Sequence, residues 1–349
     1  IWISMKIVAI INTLYTNTFD TLYFESKFRE DIDFIFFVIP FCRIDGVSKL
    51  LVGMEDICQM LEKKGYPYIK GYNDVTNEYL DLKKLHPDAV FVQTPYDNQR
   101  ISPFFTAEYI SSYAYLYMIS YGANIISYDF PPYDKLISHN LSFKYYKHVF
   151  SESEIFSNEL NKYNGKYFPV GYIKCDKFIH YKNNNFFRFE LYFINHSLLK
   201  KEILKNQLKS ENWCNNVFDK ISKLPNVKIL GDDYFLDYVF NADVFIGDYC
   251  STIVEYGLTE NPMIYTPTDV VLSDFGQQFI KGAYVVSNIQ EMDRSVKNII
   301  KGIDPLKKIR RENAKMISYS PPDEMTIAQY ILHILENEIR YKHNLIFIG

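Results

Sequence analysis

Short apolar runs rich in β-branched residues recur along the chain, separated by polar stretches in which apolar positions return every three or four residues. Residues 6–11 and 33–40 have the first pattern and predict buried strands. Residues 48–63 have the second, with Leu50, Leu51, Met54, Ile57, Cys58 and Leu61 on one face, and Gly65 stands where a helix end favours positive φ. A third strand opens at 68–69, residues 79–85 predict another helix, and 87–93 a fourth strand. Such alternation implies a parallel sheet covered on both faces. Tyr113, Tyr115 and Tyr117 alternate with Ala114, Leu116 and Met118, a strand period that makes the tyrosine row packing rather than a substrate platform.

A second alternating half begins near 169–176. Its pattern predicts a strand at 191–194, a polar helix over 198–215, a strand at 227–230 and a helix through Phe240. Further strands follow at 242–246, 263–265 and 283–286, and helices at 289–300 and 307–316. Pro321 and Pro322 break the chain before an amphipathic helix over 324–340. The expectation is an α/β fold of GT-B type, two Rossmann-like domains (1–150 and 151–349) facing a central cleft. The last helix is expected to pack back on the first domain.

Residues 242–257 carry the chemistry. Gly247 and Asp248 stop a strand, Ser251 or Thr252 can cap a helix, and Glu255 lies three residues after Thr252 in capping-box register. A helix that starts at the carboxyl end of a parallel strand aims backbone N–H groups at open space, where α/β proteins hold phosphate. A capping box alone also accounts for Thr252 and Glu255. The polar turn at 266–269 falls on the same sheet edge, and two such loops together favour a nucleotide crevice.

Composition narrows the field. With 349 residues the chain can bury two sizeable cores, and a net charge of −4 argues against nucleic acid as a partner. Lys307, Lys308, Arg310 and Arg311 read as a solvated helix face, with contact to anionic lipid as the alternative. The apolar run 34–41 is too short to span a membrane, and Lys6 precedes only the short run 7–11, a first strand rather than a signal segment. The five cysteines lack CxxC or Cys/His ligand spacing, which fits reduced thiols in the cytoplasm and no structural metal. Asp232 and Asp233 read as a turn and helix start rather than a metal pair, so no metal or cofactor is expected.

The run Asp243-Val-Phe-Ile-Gly-Asp248-Tyr-Cys250-Ser251-Thr252-Ile-Val-Glu255, continued by Asn261-Pro262, resembles the acidic-Tyr-Ser-Ser signature of the CDP-glycerol glycerophosphotransferase family, with Cys250 replacing the first Ser. These are polymerases of teichoic acid and capsule. Gly171 through Asp176 is similar to that family's Gly-x-x-x-x-Asp linker. Pro95-Tyr96-Asp97-Asn-Gln99-Arg100 and Tyr121-Gly122 resemble a subgroup with a Pro-Tyr-Asp-x-Gln loop and a Tyr-Gly turn.

The resemblance implies a donor-binding second domain and an acceptor-binding first domain. An acceptor hydroxyl would attack the β-phosphorus of a CDP-activated polyol and CMP would leave. Ser251 and Thr252, with the backbone amides beside them, would hold the pyrophosphate, Asp248 and Gly171 would belong to the same donor-nucleotide site, and Glu255 would either close the capping box or reach the ribose. His196 lies where the family has an Arg-Pro-His-Pro-Leu turn and is the implied catalytic or phosphate-contacting imidazole, although Ile194 replaces the Arg and both prolines are lost. The family's amino-terminal His-Gly is Tyr121-Gly122 here, which leaves Asp97 as a substitute base or as an Asx-turn residue. Arg100 would pair with a phosphorylated acceptor or with Asp97, and Tyr96, Gln99, Tyr121 and Gly122 would line the acceptor side. A glycan or lipid-linked acceptor implies peripheral contact with the inner face of the plasma membrane. A nucleotide-sugar glycosyltransferase and a catalytically silent protein of capsule assembly are the alternatives.

Overall fold

A computed structural model describes residues 4–13, 18–45, 48–97, 100, 102–119, 141–176, 191–194, 203–204, 207–230 and 235–348. The chain divides into two compact units, Ile1–Lys177 with Ile246–Gly349, and Phe178–Phe245.

The first unit opens with β1 (Met5–Ile11), α1 (Asp20–Ser26) and β2 (Ile32–Val38), then an antiparallel pair β3 (Phe41–Asp45) and β4 (Ser48–Val52). Next come α2 (Met54–Lys64), β5 (Tyr68–Lys70), a short pair β6 (Tyr72–Asn73) and β7 (Glu78–Tyr79), and β8 (Ala89–Val92). α3 (Ala107–Ser111), β9 (Tyr115–Ile119), β10 (His148–Ser151), α4 (Glu154–Asn164) and β11 (Tyr167–Pro169) follow. Seven of these strands form one sheet in the order β11-β10-β9-β8-β1-β2-β5, and every pairing in it is parallel. Pairing Met5 with Ile32 and Ile11 with Val38 sets the register of its centre.

A parallel sheet must be covered on both faces, and alternation along the strands shows how that is done. Ile7, Phe36, Phe91, Tyr117 and Phe150 face one core, and Val8, Phe37, Val90, Leu116 and Val149 face the other. Tyr117 stacks between Phe91 and Phe150 at ring separations of 5.3 and 5.6 Å, so the tyrosine row is packing, as expected.

In the second unit, β12 (Leu191–Ile194) pairs in parallel with β13 (Val227–Leu230), accompanied by α5 (Glu211–Ser222) and α6 (Phe235–Asn241). Of the helix expected over 198–215, Ile203 and Leu204 are helical and a separate helix starts at Glu211, where the Ser210 hydroxyl accepts the Trp213 N–H at 3.2 Å; residues 198–202 and 205–206 lie outside the described residues.

The chain then returns to the first unit. β14 (Phe245–Gly247), β15 (Met263–Tyr265) and β16 (Tyr284–Val285) form a three-stranded sheet. α7 (Ser251–Gly257), α8 (Asp274–Ile280), α9 (Ile289–Ile300), α10 (Lys307–Ile317) and α11 (Ile327–Ile348) accompany it. α11 closes the first core: Ile331 and Leu335 are wholly buried against β1, β2 and β8 residues. Truncating such a side chain to Ala costs about 2–5 kcal/mol, whereas an exposed ion pair is worth about 0–1 kcal/mol. Apolar contact therefore holds α11, and its polar contacts fix its setting. Among them, the Tyr117 hydroxyl donates to Glu338 at 2.6 Å, His148 Nε2 lies 2.7 Å from the same carboxylate, and Arg29 pairs with Glu336.

Four further expectations change. Residues 48–52 are a strand, since Gly53 at φ +85° interrupts the backbone before α2. Residues 79–85 give only a short strand and a 3-10 turn at Leu82–Leu85, where Asp81 accepts the Lys83 N–H at 3.0 Å. The last helix starts at Ile327 rather than 324, because Asp323 and Glu324 hold positive φ. The basic run 307–311 is not one solvated face. Arg310 is wholly buried, donates to the Glu260 and Gly282 carbonyls at 3.0 and 3.2 Å and pairs with Asp304, which also accepts the Tyr284 hydroxyl. Lys307 and Lys308 remain exposed. Among the described residues no helix is long and apolar enough to cross a membrane.

Two outcomes test this packing. Gly171 has φ +102°, and a Cβ there would lie 2.7 Å from Ile327 Cδ1 and 3.0 Å from the Tyr319 carbonyl oxygen. Gly171→Ala should therefore cost about 1–3 kcal/mol in urea unfolding. Burial pushes the Glu338 carboxyl up, but hydrogen bonds from His148 and Tyr117 outweigh it and hold Glu338 below its usual range. A lowered pKa in the folded state adds stability above the unfolded value, and that stability is lost on acidification below about 4.3. Glu338→Gln should flatten the acid limb of a stability–pH curve.

Candidate functional site

β14 ends at Gly247, whose carbonyl accepts both the Thr266 N–H at 2.8 Å and the Thr266 hydroxyl at 3.1 Å. The turns after β14 and β15 thus adjoin, as the two polar loops predicted. The strand itself departs from expectation. It covers Phe245–Gly247 rather than 242–246, and Ile246 is 39% exposed because fully buried β15 takes the central position in the sheet.

α7 begins at Ser251 with Cys250 as its N-cap, and no side-chain hydrogen bond closes the cap. The capping box expected between Thr252 and Glu255 is not formed. The Cys250 carbonyl accepts the Ile253 N–H at 3.2 Å, while burial and the nearby Asp248 charge push the Cys250 thiol up to about 11. The thiol therefore stays protonated. Asp248, Ser251 and Thr252 are half-buried around it.

Glu255 is 3% exposed and finds its partners outside its own helix. It accepts the Tyr172 hydroxyl, and Lys174 Nζ lies 3.6 Å from the same oxygen. Neither the capping box nor an open ribose contact describes it. Glu152, directly after β10, joins the group. A cavity of about 10 Å³, room for roughly one water, has Glu152, Tyr172 and Glu255 in its wall, with Phe156, Val254 and Ile317. Burial pushes Glu152 up to about 7, the Glu255 charge adds to this, and Lys174 opposes it. Burial and Glu255 likewise push Tyr172 and Cys175 well above their ordinary values. Sequence reading passed over Glu152, Tyr172 and Lys174. The last two occupy the unspecified positions of the Gly171–Asp176 linker, and chemistry at those positions was the available signal. Gly171 itself sits under Ile327, and Asp176 accepts the Ile327 and Ala328 N–H groups at 2.9 and 2.8 Å.

The loop after β8 is built differently. Arg100 is 4% exposed, and its guanidinium bonds Asp97 at 2.8 Å, the Thr94 and Phe105 carbonyls and the Tyr146 hydroxyl. Of the two partners expected for Arg100, Asp97 is the one it has. Asp97 also accepts the Ala107 N–H at 3.1 Å on each oxygen, at the start of α3. Burial raises the Asp97 pKa, while Arg100 and the Ala107 amide pull it down. Tyr96 is half-buried beside it, and the Ser142 hydroxyl holds the Pro95 carbonyl at 2.9 Å. Gln99, Tyr121, Gly122 and His196 lie outside the described residues.

A seven-stranded parallel sheet covered on both faces, with a second α/β region after it, places the chain in the GT-B fold class of two Rossmann-like domains. The solved structures it resembles include a variant of the wall teichoic acid polymerase TagF soaked with CDPG, at a TM-score of 0.62 and 10% identity over 97% of this chain and 89% of that one. A putative UDP-N-acetylglucosamine 2-epimerase from Listeria monocytogenes matches at 0.61 and 10% over 97% of both chains. S. aureus MnaA in complex with UDP matches at 0.57 and 13% over 95% of this chain and 96% of that one. At such identities the likeness is one of fold. No protein-family model matches the sequence, and no curated protein matches it either.

Arg100→Met would leave Asp97 with its burial and without its counter-charge. The substitution should cost about 3 kcal/mol in denaturant unfolding. Adding Asp97→Asn should recover part of that loss, which a double-mutant cycle would measure.

Proposed function

We propose that the protein transfers glycerol phosphate, or a related polyol phosphate, from a CDP-activated donor to a hydroxyl of a cell-surface glycan or teichoic-acid-like acceptor, releasing CMP. One observation carries the reading. The segment that resembles the CDP-glycerol signature forms a strand–turn–helix whose turn adjoins the 266–269 loop, in a chain of GT-B fold. The fold shared with TagF, solved after soaking with CDPG, supports it.

In this reading residues 151–349 bind the donor and residues 1–150 the acceptor. The Ser251 and Thr252 hydroxyls and the first amides of α7 hold the pyrophosphate, where a positive helix end meets developing negative charge. The acceptor oxygen forms a bond to the β-phosphorus as the bond from that phosphorus to the bridging oxygen breaks, and CMP departs with the bridging oxygen. Asp97, kept ionised by Arg100 and oriented by the Ala107 amide, receives the acceptor's proton. His196 supports the charge on the departing phosphate. Tyr96, Gln99, Tyr121 and Gly122 shape the acceptor side. The protein works in the cytoplasm, in peripheral contact with the inner face of the membrane through exposed lysines such as Lys307 and Lys308.

A second reading, a nucleotide-sugar enzyme of the same fold, is favoured by the likeness to UDP-bound MnaA and to UDP-N-acetylglucosamine 2-epimerases. Thermal unfolding with CDP-glycerol, CDP-ribitol, CMP and UDP-sugars separates the two. Cytidine nucleotides should raise Tm by several degrees, since a ligand at about 100 Kd adds about 2.7 kcal/mol. The double substitution Ser251→Ala/Thr252→Ala should abolish the rise, and CMP should appear on incubation with acceptor. Stabilisation by UDP-sugars alone would favour the second reading, and indifference to every cytidine nucleotide would sink the first.

A further inference from the structure

Three polar side chains from two neighbouring strand ends converge on one carboxylate. Glu152 follows β10, Tyr172 and Lys174 follow β11, and Glu255 comes from α7. The small cavity between Glu152 and Glu255 is otherwise walled by apolar side chains, so water does little to screen the two carboxyls from each other. Glu255 lies four residues along α7 from Ser251, about 6 Å down the helix axis from the turn at Asp248.

We propose that Glu152 is a proton switch controlling nucleotide affinity at that turn, with Tyr172 and Lys174 as positioning residues that hold Glu255 beneath it; this rests on the nucleotide-site reading above. When Glu152 is protonated, Lys174 and Glu255 offset each other and the group is neutral. When Glu152 ionises, the group carries one net negative charge below the helix start that must receive a pyrophosphate. Two carboxylates facing one small cavity do not both ionise cheaply, and the pKa of Glu152, about 7, puts the change in the neutral range. Of the surrounding elements, α7 presents Glu255 and the segment after β11 presents Tyr172, Lys174 and Cys175. α4 and α10 present only Phe156 and Ile317 to the cavity.

The sign follows from linkage. A glutamate in the unfolded chain titrates near 4.3, and Glu152 in the folded chain keeps its proton to about 7. Stability is therefore lost as pH rises through that window.

The test compares wild type with Glu152→Gln, which imitates the protonated carboxyl, between about pH 5.5 and 8.5. Without any nucleotide, the advantage of the variant in Tm should grow from about pH 5.5 to about 7 and level off above it, reaching several degrees at the alkaline end. With CDP-glycerol, whose pyrophosphate has no proton to lose in this range, wild-type affinity should fall about fivefold or more with rising pH and that of the variant should stay level. Lys174→Met should move the midpoint to higher pH, a shift that loss of packing alone would not give. An equal Tm difference at both ends, or parallel affinity profiles, would overturn the switch while leaving the nucleotide reading intact. Failure of every cytidine nucleotide to bind would remove that reading and the proposed control of affinity with it, and the ligand-free comparison would still decide whether Glu152 titrates as described.

Discussion

Asp176 accepts the first two free N–H groups of α11, at 2.9 and 2.8 Å, and most of the first unit depends on that contact. Burial raises its pKa to about 6 against the pull of the two amides. A helix end under the protein surface cannot leave its amides unpaired. With them satisfied, α11 can lie on the sheet and bury Ile331 and Leu335 against Ile7, Phe36 and Phe91. α1 and α2 cover the rest of that face, and without α11 its cover would be incomplete, which an all-parallel sheet tolerates poorly.

The same six residues that supply this cap also reach α7. Gly171 gives Ile327 room, Tyr172 and Lys174 hold Glu255, and Asp176 caps α11. One short segment therefore fixes both the cover of the large sheet and the helix that starts at the candidate phosphate turn. Polar contacts of this kind contribute little net stability compared with the apolar core. Their effect is on geometry, since each admits one arrangement of the elements it joins.

Much of the fold was legible because burial leaves periodic marks. β1, β2, β8 and β13 fall where apolar, β-branched runs stand, and α9 and α10 within a residue or so of where helical spacing puts them. The failures have local causes. Residues 48–52 have apolar positions compatible with either period, and the positive φ of Gly53 decides for a strand. Arg310 looked like surface charge beside Lys307, Lys308 and Arg311; only the folded chain brings two carbonyls and Asp304 to it. At the candidate site, Asp248, Ser251 and Thr252 could be picked out because a strand end and helix start are written locally. The partners of Glu255 could not, because Tyr172 and Lys174 lie about eighty residues earlier, and no periodicity encodes such a contact.

The cover of the amino-terminal sheet also sets an order of events in synthesis. Every strand of that sheet has left the ribosome by Pro169, but the apolar face of α11 arrives only with residues 327–339. At ordinary elongation rates the interval is on the order of ten seconds. Throughout it, Ile7, Phe36, Phe91 and their neighbours are covered only by α1 and α2, whose Leu22, Ile57 and Leu61 share their core. The amino-terminal half therefore completes the core on that face only once the end of the chain exists.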